Sequence, residues 1–105
     1  MVAPFGWHKI EKDKLIEIRT KLAYFESQTW NEILVIGKKR NHTVSVTGIC
    51  KEAQDRLVEI GLDDIEEIVS LRLSGPERIW GIRNLSVLTL LWWDPNHQIW
   101  PSNKD

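Results

Sequence analysis

The sequence predicts an α+β domain in which N-terminal helices pack on a C-terminal antiparallel β-meander of three to four strands. Three observations lead there. Up to Gly61 the apolar residues recur at intervals of three and four, the period of a helix resting on a core. From Ile68 onward they crowd into short branched and aromatic runs, IVSLRL, RIWGIR and SVLTLLWW, separated by turn-forming stretches. No linker, repeat or low-complexity tract divides the 105 residues, so 1–105 reads as a single domain with a helical part at about 11–61 and a sheet part at about 67–100.

Leu15, Ile18, Leu22 and Phe25 share one helical face and predict a first helix over about 12–25. Thr29 and Glu32 form the capping-box pattern T-x-x-E ahead of Ile33, Leu34 and Ile36; a second, shorter helix starts there and Gly37 stops it. Residues 38–42 are polar and basic, a loop, and 43–46 are a short extended segment. Ile49, Ala53, Leu57 and Ile60 then return to helical spacing, which gives a third helix ended by Gly61.

In the sheet part, residues 74–77 and 83–86 are turns. Val69, Leu71 and Leu73 alternate with Ser70 and Arg72, so one face meets the core and the other carries polar groups. Residues 87–93 are apolar on both faces, as suits a central strand. Asp94-Pro95-Asn96-His97 matches a type I turn, with Pro at the second position and Asn tolerated at the third, after which Gln98, Ile99 and Trp100 return as a last strand. Turn chemistry accounts for Asp94, Pro95 and Asn96. It does not ask for histidine at 97.

A hydrophobic share of 42% with 28% charged residues is ordinary for a globular chain, whereas six tryptophans in so short a sequence are many. A small domain buries a limited part of its surface, so large aromatic side chains help it, and Trp7, Trp30 and Trp92 are expected in the core. No apolar run approaches the roughly 20 residues that span a bilayer, and the start lacks a basic segment followed by an apolar one, so no membrane contact and a cytoplasmic location are expected. The single cysteine, Cys50, has no partner for an internal disulfide and reads as a small apolar residue.

Phosphate-loop, dinucleotide, zincin and nucleophile-elbow motifs are absent, and His8, His42, His97 and Asp94 do not have the spacing of a metal site. The expectation is therefore no metal and no cofactor. A net charge of −1 argues against gripping nucleic acid by bulk positive charge. The acids, however, gather in KEAQDRLVEIGLDDIEE, while Lys38, Lys39, Arg40, Arg72, Arg78 and Arg83 lie in stretches with few carboxylates. Metal-free RNA cleavage needs a base for the 2′-hydroxyl, an acid for the leaving oxygen and cations for the phosphorane charge. His97, Arg78 and His42 are the candidates for catalysis. Arg72, Arg83, Lys38, Lys39 and Arg40 are the candidates for holding phosphate, and Trp80 offers a face on which a base would stack.

The order of elements and the pattern R-L-x-G-x-x-R-x-x-x-x-R, here Arg72-Leu73-Ser74-Gly75, Arg78 and Arg83, followed by Leu88-Thr89-Leu90-Leu91 and His97, resembles the RelE/ParE-like toxins of bacterial toxin–antitoxin pairs. WWDPNHQIWP also looks like the ending of small bacterial proteins grouped with them. The resemblance implies an endoribonuclease that cuts mRNA, with the ribosome as a place of engagement and a cognate antitoxin protein as inhibitor, any self-association running through that partner. It would make Arg72, Arg78 and Arg83 the phosphate and transition-state arginines and His97 the acid or base. Relative to the simplest form of that family the helix at 48–60 is an insertion, and the usual first strand falls at Phe5 to Ile10. The alternative is a non-enzymatic interaction module that uses its Trp-rich sheet end.

Overall fold

The computed structural model describes residues 10–100. Ile10 has no regular structure; Trp7 and the rest of the expected first strand lie outside the described residues.

Helix α1 (Lys12–Glu26) buries Ile18 and Phe25. Leu15 stays largely exposed, so the apolar stripe begins one turn later than its spacing suggests. The capping box forms as read: the Thr29 N–H donates to Glu32 Oε1 at 2.8 Å and the Glu32 N–H to Thr29 Oγ1 at 3.2 Å. The short helix it opens widens into a π-helix, Glu32–Ile36, closed by the Gly37 N–H on the Glu32 carbonyl. A four-residue strand, β1 (His42–Ser45), and a 3-10 turn (Val46–Gly48) lead into α2 (Lys51–Glu59), which buries Ala53 and Leu57. Ile60 remains outside that core, and Gly61 takes a left-handed φ of +79° just beyond the helix.

Strands β2 (Glu67–Arg72), β3 (Arg78–Asn84) and β4 (Val87–Asp94) complete an antiparallel sheet of order β1-β2-β3-β4. The α+β architecture is thus as the sequence predicts, with the fourth strand supplied by the extended segment upstream of α2. Residues 98–100 form a turn and not a last strand. Among the described strands β4 stands last in order, and its double-sided apolarity has another cause: Trp92 and Trp93 enter different cores.

Those cores lie on opposite faces of the sheet. On one face Val69, Leu71, Ile79 and Trp93 meet Ile18 and Phe25 of α1 and Ile33 of the π-helix. On the other, Val44, Ile68, Trp80 and Trp92 meet Ala53 and Leu57 of α2 together with Ile49 and Ile99. The face expected to be polar is therefore half covered, and Ser70 is only 1% exposed. Truncating a tryptophan inside such a core costs about 3–5 kcal/mol, so Trp80 and Trp92 anchor the second layer.

Candidate nucleic-acid site

Residues directly opposite in an antiparallel ladder share a face. His42 faces Ser70, Ser70 faces Trp80, and Trp80 faces Trp92; one rung further along, Arg72 faces Arg78 and Arg78 faces Asp94. His42, Arg72 and Arg78 therefore stand on the same side, the side that carries α2. The turn after β4 brings in His97. Asp94, fully buried, accepts the Gln98 N–H at 2.9 Å, the Ile99 N–H at 3.0 Å and the Trp80 indole N–H at 3.3 Å. This fixes the turn on the core, seats the Trp100 ring against His42 with centroids 5.7 Å apart, and leaves His97 near enough for its charge to act on that imidazole.

Burial holds the His42 pKa below its ordinary 6.5, and the charges of Arg78 and His97 lower it further. His42 is thus neutral at pH 7, the state a general base requires. His97 has a left-handed φ of 56°, and its Nδ1 is buried with no hydrogen-bond partner among the described residues. Arg78 donates to the Gly75 carbonyl at 2.6 Å and to that of Glu77 at 3.0 Å, which draws its side chain over its own turn. Burial lowers the Arg78 pKa, the neighbouring Arg72 charge adds to this, and Asp94 opposes it.

Glu77 forms its ion pair with Lys14, at 2.9 Å. Among the described residues, Arg72, Arg78 and Arg83 have no ion-pair partner. Lys38, Lys39 and Arg40 are exposed in the turn after the π-helix and border a cleft of about 370 Å³ with Arg72. No family model, curated protein or solved structure matches this chain.

Two of the predicted residues do not join the cluster. Arg83 is an odd number of positions from Arg78, so it projects from the other face; its guanidinium covers the Trp30 ring at 4.7 Å and donates to the Leu85 carbonyl at 2.8 Å. Trp80 is fully buried with its indole N–H on Asp94, so no base can stack on it. At the Trp-rich sheet end Trp80, Trp92 and Trp93 fill the two cores, and Trp100 is half-buried. Three residues that sequence reasoning missed support the site: Asp94, Trp100 and the buried Asn41, whose Oδ1 accepts the Arg72 N–H at 3.0 Å. The D-P-N-H pattern was a signal for Asp94. Nothing in the local sequence marked the other two.

Proposed function

We propose that the chain is a metal-independent endoribonuclease, the toxin of a toxin–antitoxin pair, acting on mRNA. What supports the nuclease reading is that His42, Arg72 and Arg78 share one side of the sheet and that Arg78 and His97 lie near enough for their charges to act on His42, the two arginines being without ion-pair partners among the described residues. Neutral His42 takes the proton of a 2′-hydroxyl, and that oxygen attacks the adjacent phosphorus. His97 gives a proton to the departing 5′-oxygen, leaving a 2′,3′-cyclic phosphate and a 5′-hydroxyl. Arg78 and Arg72 stabilise the charge that builds on the phosphorane oxygens. The toxin assignment draws on the resemblance to RelE/ParE-like toxins, which covers roughly residues 68–101.

A second reading, a non-enzymatic binding module, is favoured by one feature on the opposite face. A groove of about 700 Å³ runs between α1 and β4, lined by Leu22, Phe25, Trp30, Val87, Leu88 and Leu90 among others. Expression in bacteria separates the two. If the nuclease reading holds, the wild type arrests growth and shortens mRNA, and His42→Ala or Arg78→Ala each remove the arrest while the circular dichroism spectrum is kept; single catalytic groups of this kind are worth about 10²–10⁴ in rate. A harmless wild type, or arrest that survives both changes but disappears with Leu90→Asp, would favour the binding module.

A further inference from the structure

A second concentration of positive charge borders the histidine site. Lys38, Lys39, Arg40 and Arg72 surround the cleft of about 370 Å³, whose lining includes no carboxylate. None of the four has an ion-pair partner among the described residues. The arrangement is held from within. Asn41, 5% exposed, donates Nδ2 to the Ile33 carbonyl at 3.2 Å while its Oδ1 takes the Arg72 N–H, so one side chain ties the basic turn to β2. Gly37 permits the close fit: a Cβ there would lie 2.7 Å from the Ile33 carbonyl oxygen and 3.1 Å from Asn41 Nδ2.

Arg72 relates the cleft to the histidine side of the sheet. It lines the cleft and faces Arg78 across the ladder, where paired Cα atoms stand about 4.5–5.5 Å apart, and the charge of Arg78 reaches His42. Like charges packed this way repel one another unless an anion lies between them. Guanidinium forks match phosphate oxygens in pairs, and a run of cations suits a ligand with regularly repeated charge.

We propose that the cleft holds the phosphate next to the one at the histidine pair, so that the ligand is single-stranded RNA engaged through at least two consecutive phosphates. The identity of the histidine-bound phosphate as the scissile one rests on the function proposed above; anion binding in the cleft does not.

The test uses fluorescein-labelled 2′-O-methyl uridine dinucleotide and tetranucleotide, which cannot be cut by 2′-hydroxyl attack, titrated into the full chain by fluorescence anisotropy. The tetranucleotide should bind at least about tenfold more tightly. The Lys38→Ala/Lys39→Ala/Arg40→Ala variant should lose that advantage and flatten the slope of log affinity against log salt by about 0.7, the contribution of one single-strand phosphate contact. Lys39→Gln should show the same losses in smaller measure. Equal binding of both probes by the wild type overturns the proposal, as does an unchanged salt slope in a folded triple variant. Displacement of the tetranucleotide by hexaglutamate as effectively as by unlabelled RNA would assign the cleft to acidic peptides instead. Tight, cleft-dependent binding of an unmodified tetranucleotide that is never cut keeps the cleft and removes the nuclease; cutting that ignores the triple change does the reverse.

Discussion

His97 occupies a backbone conformation that turn chemistry would give to glycine or asparagine. A left-handed φ costs an L-residue about 1–2 kcal/mol, and replacing it by glycine returns about 0.4–1 kcal/mol of entropy to the unfolded chain. His97→Gly should therefore raise the urea-unfolding free energy by about 0.5 kcal/mol while abolishing RNA cleavage; retained cleavage would remove His97 from the site. Strain alone does not single it out, because exposed Leu85 has a φ of 58° in the β3–β4 turn. The difference lies in an Nδ1 that is buried without a partner among the described residues, on a ring near enough for its charge to act on His42. A histidine held in a strained backbone agrees with the proton-transfer role we propose.

Between β3 and β4 the register slips at Trp80 and Gly81, so that Trp80 faces Trp92 but Gly81 faces Leu90. A Cβ at Gly81 would lie 2.7 Å from the Thr89 carbonyl oxygen and 2.9 Å from Leu88 Cδ1. Gly81→Ala should cost about 2 kcal/mol, seen as a thermal-melt loss of about 10 °C; an unmoved Tm would show that the bulge can absorb a methyl group. Much of this architecture was legible in sequence, because α1 and α2 bury residues at helical spacing and the three long strands fall on the branched and aromatic runs between turns. The misread pieces share a cause, a tertiary partner invisible to local pattern. Residues 98–100 look like a strand, yet the Asp94 carboxylate takes the Gln98 and Ile99 N–H groups that a ladder would need. Ser70 alternates as a solvent-facing residue would, until α2 covers it. The site was legible in its residue types and less so in its geometry, although counting alternation from Arg78 already sends Arg83 to the other face.

For the folded chain as a whole, His42 links stability to pH. Its pKa is lower in the native state than in the unfolded chain, so below about 6.5 the unfolded state binds more protons and stability falls with falling pH, levelling once the native imidazole also protonates. Urea titrations at about pH 7.5 and pH 5.5 should give a larger loss for the wild type than for His42→Asn; identical losses would mean the imidazole titrates as if unfolded. The same environment sets the acid limb of any cleavage profile below pH 6.5. The turn that carries His97 also supplies Ile99 to the second core and Trp100 to His42, and its Ile99 carbonyl accepts the Cys50 N–H ahead of α2. Residues 94–100 therefore close the second layer and seat Trp100 on His42 in one step, so a chain deprived of that turn would lose part of its packing together with the candidate site.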